Sequence, residues 1–240
     1  MSSSHHLKRL NAPRTLRLHR KEKTWTIRSS PGPHELNASI PLGLLVRDYF
    51  QLCDTRREVK RILANGEILV DGIIRKSNKF PIGFMDVITI PKTKKHYRLV
   101  FDQRGKLSLV SISTNDAEWK LRRIENKTTL RGKKTQLHFH DGNNMIVEKD
   151  TYHTGDVLKM AFKDKKINDI YPKEKGTISL ITGGSHVGEL ATIESIEIIQ
   201  SSSSNLAVMK GGNDFTTYEK YVFPVGKTKP VIAIPEVKIQ

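Results

Sequence analysis

Residues 55–74, TRREVKRILANGEILVDGII, constrain this chain more tightly than any other stretch of comparable length. Thr55 and Glu58 stand at the spacing of a capping box, in which hydroxyl and carboxylate satisfy reciprocal backbone donors at a helix start. Val59, Ile62 and Leu63 follow at i, i+3 and i+4 and make one apolar stripe. Arg56, Arg57, Lys60 and Arg61 fall roughly 140° away from it at about 100° per residue. Gly66 takes left-handed backbone without a Cβ penalty, so it predicts the helix end. Leu69 and Val70, then Asp71-Gly72, then Ile73 and Ile74 predict a tight hairpin, with Asp-Gly supplying the positive φ of a type I′ turn. A helix with one apolar and one cationic face, followed at once by a hairpin, is suited to presenting cations to phosphates.

The charge of the whole chain agrees. Lys+Arg number 41 against 25 Asp+Glu, a formal +16 over 240 residues. A field of that sign attracts polyanions, with nucleic acid and anionic membrane as the candidates. No apolar run approaches the roughly 20 residues that span a bilayer. The basic N-terminal segment also lacks the apolar core of a signal peptide, so a cytosolic nucleic-acid partner is expected. The length suits one or two ordinary domains, or three small ones. The single cysteine, Cys53, excludes an internal disulfide framework and a Cys-rich zinc site. A helix over 42–52 would put Leu42, Leu45, Val46, Tyr49 and Phe50 on one stripe that extends to Cys53, predicting a buried thiol.

Residues 1–40 read as a basic arm. Up to His34 it has eight Lys/Arg against the single acid Glu22, so it carries +7 of the +16. Leu7, Leu10, Leu16, Leu18, Trp25 and Ile27 are too few to form a core, and Ser-Ser-Pro-Gly-Pro at 29–33 prevents regular structure. Either the arm is a disordered tail, or Trp25, His19 and His34 stack and pack among its cations. In both cases its ordering entropy exceeds what its own contacts supply, so it is expected to be mobile alone and fixed on RNA. His5-His6 is too short for a tag or a metal tract.

Beyond residue 92 the pattern changes to short β runs. Strands are predicted at 97–101 and 107–112 around a Gly105 loop, then at 119–124, 135–139, 145–147, 157–162 and 166–170. Asp141-Gly142 joins two of them, and the spacing suggests a small barrel or sandwich. Arg122, Arg123 and Lys127, and separately Arg131, Lys133 and Lys134, form cationic clusters that are either solvated or in contact with RNA. His138 and His140 share a strand face, but no third ligand stands at a motif spacing, so no metal is expected. Further on, Lys175-Gly176, an apolar run at 178–181, Gly183-Gly184-Ser185-His186 and Gly188 lead into Ala191-Thr192-Ile193. Glycines there let a loop backbone approach RNA closely. Strands continue at 196–199, 205–209, 215–218 and 221–225, with 201–204 as an exposed loop.

Residues 57–72 resemble the alpha-L RNA-binding motif, a basic helix, a glycine and a strand entering an Asp-Gly turn. Its closing Gly-Asp step is represented by Gly83 and Asp86 with two residues inserted. His6-Leu7-Lys8-Arg9-Leu10, Ala12-Pro13, Arg20-Lys21, Trp25, Pro31-Gly32-Pro33-His34 and Ser39-Ile40-Pro41-Leu42 resemble small-ribosomal-subunit protein four of archaea and eukaryotes. That family's closing segment, P-x-G-x-M-D-V, is matched by Pro81, Gly83, Met85, Asp86 and Val87. The segment from Lys175 to Ile193 resembles the KOW motif. The resemblance covers nearly the whole chain and is strongest at 6–91 and 175–225.

The resemblance implies a multi-module α+β chain. Its modules would be a basic arm (1–40), an alpha-L domain (41–91), a central small β domain (92–172) and a KOW-type SH3-like β-barrel with a C-terminal extension (173–240). It implies a structural constituent of the small ribosomal subunit, in the cytoplasm. Such a protein would bind ribosomal RNA of the five-prime domain beside neighbouring small-subunit proteins, with no cofactor, membrane or small-molecule substrate. The RNA-binding residues expected on this reading are Lys8, Arg9, Arg14, Arg17, His19, Arg20, Lys21, Lys23, Trp25 and His34 in the arm. In the alpha-L domain they are Arg47, Arg56, Arg57, Lys60, Arg61, Asn65, Arg75 and Lys76. Beyond it they are Arg122, Arg123, Lys127, Lys133, Lys134, Lys175, Gly184 and His186.

No catalytic constellation is visible: no Ser/His/Asp or Cys/His order in motif context, no phosphate-cradling Gly-Lys-Ser/Thr loop and no His-Glu-x-x-His. The enzyme alternative is an RNA-modifying one, since pseudouridine synthases also append an alpha-L module. Their Gly-Arg-Leu-Asp setting is approached only by Arg104-Gly105-Lys106-Leu107-Ser108, which lacks the aspartate. A transcription or translation factor using the KOW barrel is the third reading, and it leaves the arm unexplained.

Overall fold

A computed structural model describes residues 6–148, 150–212 and 214–234; His5 and the outermost ends of the first and last expected modules lie outside the described residues. The chain forms two compact units, Met1–Val100 with Lys106–Glu118, and Phe101–Gly105 with Trp119–Gln240.

In the first unit, β1 (Leu7–Lys8) pairs antiparallel with β2 (Trp25–Thr26), folding the N-terminal segment back on itself. Strand β3 (Ser39–Pro41) leads into α1 (Leu42–Leu44), which widens at once into a π-helical turn over Leu45–Tyr49. Gln51, at φ 52°, turns the chain out of the helix. The regular helix expected over 42–52 is therefore cut short, and Cys53 lies beyond it, half-buried rather than on the stripe. Burial still pushes the Cys53 thiol up in pKa.

Helix α2 (Arg56–Ala64) carries both bonds of the Thr55–Glu58 capping box and fully buries Val59 and Leu63. Gly66 has φ 73°, and its N–H donates to the Leu63 carbonyl. Strands β4 (Leu69–Val70) and β5 (Ile73–Ile74) form the hairpin, with Asp71 and Gly72 at φ 51° and 76° as a type I′ turn requires. The Asp71 carboxylate accepts the Val87 N–H at 3.0 Å, tying this turn to a distant strand.

Strand β6 (Pro81–Gly83) pairs with β3, and β7 (Val87–Ile90), β8 (Lys95–Phe101) and β9 (Leu107–Ile112) complete a sheet ordered β5-β4-β7-β8-β9. The two inserted residues between Gly83 and Asp86 have a structural use. Met85 sits at φ 67° and donates its N–H to the Leu99 carbonyl at 2.8 Å. The Asp86 carboxylate turns back to accept the Gly83 N–H and lies 2.9 Å from His34 Nε2. A Cβ at Gly83 would meet the His34 ring at 2.3 Å, so glycine is required there.

That contact bears on the expected mobile arm, because residues 6–38 are held against this unit rather than left to order themselves. Leu16 and Ala12 are buried, Leu107 donates its N–H to the Thr15 carbonyl, and Ser30 donates to the Lys79 carbonyl. The apolar residues of the segment are indeed few. What they pack against is the rest of the same unit.

The second unit holds two five-stranded antiparallel sheets. The first is built from β10 (Trp119–Thr129), β11 (Thr135–Phe139), β12 (Asn144–Val147), β13 (Val157–Ala161) and β14 (Ile167–Tyr171), ordered β12-β11-β10-β13-β14. Strand β10 runs past the expected 119–124. An irregularity between Ile124 and Asn126 bends it, so its first half pairs with β13 and its second half with β11. Ile124, Leu137, Phe139, Leu158 and Met160 form the core of this sheet.

The second sheet comprises β15 (Ile178–Ile181), β16 (Leu190–Glu197), β17 (Leu206–Lys210), β18 (Phe215–Tyr218) and β19 (Val222–Gly226), ordered β18-β17-β16-β15-β19. Its core is Ile181, Ala191, Ile193, Ala207, Met209 and Val222. Among the described residues both ladders are open, β12 and β14 ending the first and β18 and β19 the second, so no closed barrel of the kind expected at 173–240 is seen. Among the described residues no helix is long and apolar enough to cross a membrane.

Candidate nucleic-acid interface

Burying Val59 and Leu63 turns the opposite face of α2 outward. Arg56, Arg57, Lys60 and Arg61 are all exposed, with no hydrogen bond or ion pair among the described residues. The one acid on the helix, Glu58, is engaged at the cap, where the Thr55 hydroxyl and the amides of Thr55 and Asp54 hold its pKa below the usual range. Asn65 and Lys76 are exposed nearby in the sequence, Asn65 donating to Glu67 at 3.3 Å.

The other cations expected to bind RNA divide in two. Lys8, Arg14, Arg17, His19, Lys21 and Lys23 are exposed, and so is Trp25, with 54% of its surface open. Arg9, Arg20, His34 and Arg47 are held by partners within the chain, and the exposed Arg17 and His19 have partners there too, His19 Nδ1 lying 3.9 Å from Glu22. Arg9 is 4% exposed and donates to the His19 carbonyl at 2.8 Å and to Asp48 at 3.4 Å. Arg20 donates to the carbonyls of Leu10, Ala12 and Pro13 at 3.1, 2.7 and 2.9 Å, bracing the loop between β1 and β2. Arg47 grips Asp48 through Nε and Nη2, which raises its pKa. Arg75 is half-buried, its guanidinium 4.5 Å above the Phe80 ring. These groups fix the surface on which the exposed cations stand.

Two residues that motif reading passed over join them. Arg28 and Lys79 line a recess together with Trp25, Arg47 and Arg56. Arg28 is 51 residues from Lys79, and folding brings the two to one recess.

In the second unit the same division recurs. Gly132 at φ 83°, Lys133 at φ 58° and a Leu130 N–H to Lys134 carbonyl bond of 2.8 Å close a tight loop after β10. That loop pushes Arg131, Lys133 and Lys134 into solvent. Lys175 and Gly184 are exposed too.

Arg122 is buried instead, its Nε 2.9 Å from Asp141, whose carboxylate also lies 2.9 Å from Lys120 Nζ and accepts from Asn143 Nδ2 at 2.9 Å. Burial alone would raise the Asp141 pKa, but Lys120 and Arg122 outweigh it and hold the carboxyl well below the usual range. Arg123 donates to Glu125 and to the carbonyls of Lys220 and Val222, and Lys127 pairs with Asp150 at 2.6 Å.

A Cβ at Gly183 would meet the Tyr221 ring at 2.7 Å, which brings the glycine turn down onto that ring. His186 is stacked on Phe215 at 3.9 Å and lies 3.1 Å from Glu189. His138 faces Thr128 and Asn144 through its two ring nitrogens, each at 2.9 Å.

A sequence model of ribosomal family S4e matches residues 93–167, the RS4NT (NUC023) domain matches residues 1–37, and the S4 domain matches residues 51–88. Small ribosomal subunit protein eS4 of Methanosphaera stadtmanae is 47% identical over 235 residues, 98% of this chain and 97% of that protein. The eS4 protein of Archaeoglobus fulgidus is 47% identical over 231 residues, covering 95% and 97% respectively. The crystal structure of the 30S ribosomal protein S4e from Thermoplasma acidophilum superposes with a TM-score of 0.69 at 37% identity, covering 80% of this chain and 96% of that one. The basic helix, cap and hairpin at 55–74 lie within the S4 match, and the regions of similarity to the eS4 proteins extend over nearly the whole chain on either side. The chain belongs to the ribosomal protein family S4e.

Proposed function

We propose that this protein, a structural constituent of the small ribosomal subunit, holds ribosomal RNA chiefly through phosphates, with the outer face of α2 as its central contact. The observation that carries this reading is the set of four exposed, unpartnered cations on that face above a buried apolar stripe. Phosphate contacts give affinity and position, while backbone shape and stacked bases give specificity. The work is divided among a basic arm (1–40), an alpha-L domain (41–91), a central β domain (92–172) and a KOW-type module (173–240) whose glycine loop at 183–188 approaches RNA. The exposed members of the arm and of the loop at 131–134 extend the contact. Arg9, Arg20, His34, Arg47, Arg122 and Arg123 serve it by holding those segments in place.

The RNA bound lies in the five-prime domain of the small-subunit RNA, within cytoplasmic ribosomes, and neighbouring small-subunit proteins complete the site. Binding of the full chain to isolated five-prime-domain RNA is expected to be tighter than to an equally long piece of another domain at the same salt. Equal affinities would overturn the domain assignment. The protein itself performs no chemistry on the RNA: incubation with ribosomal RNA should leave its nucleoside composition unchanged, and a new pseudouridine would reverse that reading.

A further inference from the structure

We propose that the recess beside Trp25 receives one unpaired nucleotide of an RNA strand, its base stacked on the indole and its phosphate held by Arg56 and Lys79. The recess measures about 280 Å³, just below the roughly 300–1,000 Å³ typical of small-ligand clefts. Four cations, Arg28, Arg47, Arg56 and Lys79, stand around it, and no carboxylate lines it. Arg56 is exposed and Lys79 half-buried, and neither side chain has a hydrogen-bond or ion-pair partner among the described residues. The Asp48 grip on Arg47 fixes one wall.

The indole is displayed rather than packed. Trp25 is 54% exposed although it lies on a strand pinned by pairing with Lys8 and by the Arg9 N–H to Thr24 carbonyl bond. The ring nearest to it is His6, at 5.7 Å and tilted by 60°, so no described ring lies parallel to its face. A rigidly held aromatic face beside unpaired cations is the arrangement by which proteins take up single-stranded nucleic acid, stacking a base and neutralising its phosphate. A base inside a duplex has both faces covered and cannot enter. An RNA strand with a splayed-out nucleotide satisfies the whole recess.

This inference rests on the RNA-binding reading above, and its test separates the two. Trp119 is the only other tryptophan; it is buried, with Lys159 Nζ 4.4 Å from its ring. Full-length protein carrying Trp119→Phe leaves Trp25 as the sole indole reporter. Short oligoadenylate should quench its emission, while a blunt RNA duplex of equal length and free AMP should quench it far less at matched concentrations. Trp25→Leu should lower the ratio of oligoadenylate to duplex affinity about tenfold, the rough scale of one stacked base, and Trp25→Phe should restore most of it.

An unchanged ratio in Trp25→Leu overturns the proposal, as does equal quenching by duplex. Quenching by AMP as strong as by oligoadenylate overturns it in favour of a free-nucleotide site. Failure of the parent protein to bind either RNA would instead overturn the RNA-binding reading. If Trp119→Phe does not fold, filter binding of the parent and the Trp25 variants yields the same ratio without fluorescence.

Discussion

Asp141 shows how far a single side chain determines what its neighbours do. Its carboxylate is 1% exposed and lies 2.9 Å from both Lys120 Nζ and Arg122 Nε. Asp141→Asn would leave two buried cations without a counter-charge and should cost about 3–5 kcal/mol in a denaturant melt. The pH dependence follows from the lowered folded-state pKa. Such a group stabilises the fold fully above its unfolded value of about 3.9 and loses that contribution as pH falls towards the lower folded value. The parent should therefore lose stability below about pH 4 more steeply than Asp141→Asn, the two curves running parallel above about pH 5. Parallel curves throughout would remove this triad from the stability account. The sequence alone groups Arg122 and Arg123 as a cationic cluster because it shows their charge and not their partners. Asp141 is 19 residues from Arg122, and the Lys220 carbonyl is 97 from Arg123. His34 and Asp86, 52 residues apart, were hidden in the same way.

Within elements, local interactions made structure legible and distant ones did not. The capping box, the stripe, the Gly66 stop and the Asp71-Gly72 turn all depend on residues within a few positions of each other, and all stand in the structure as expected. The π-helical turn at Leu45–Tyr49 and the bend in β10 depend on packing and on two different strand partners, which no periodicity records. The outer face of α2 gives the element-scale prediction. Changing Arg57, Lys60 and Arg61 together to alanine leaves the cap and stripe untouched, and alanine favours helix, so the melting temperature should barely move. Each lost phosphate contact removes about 0.7–0.9 from the slope of log K against log salt, so that slope should flatten by about 2 to 3 units. An unchanged slope would place the RNA on other surfaces. The N-terminal segment offers a second test. Gly83→Ala drives a methyl into the His34 ring and should loosen the contact with Asp86. Limited proteolysis of the free protein should spare residues before Pro41 in the parent and cut them in the variant. Equal cutting in both would mean that this contact does not hold the segment.

At the scale of the molecule, the charge of +16 and the family resemblance were readable from the sequence, and both lead to an RNA-bound ribosomal protein. The open ladders were not, because a closed barrel and an open sheet share the same strand spacing and differ in whether the edge strands bond to each other. The fall of association with salt is the physical signature of the whole surface, since every neutralised phosphate releases counterions. The most direct measurement is therefore sedimentation of a native lysate through sucrose gradients, with this protein followed by immunoblot at low salt and at stepwise higher salt. It should travel with the small ribosomal subunit at low salt and be released as salt rises. A protein that remains in the soluble fraction at low salt, beside intact small subunits, would contradict the account.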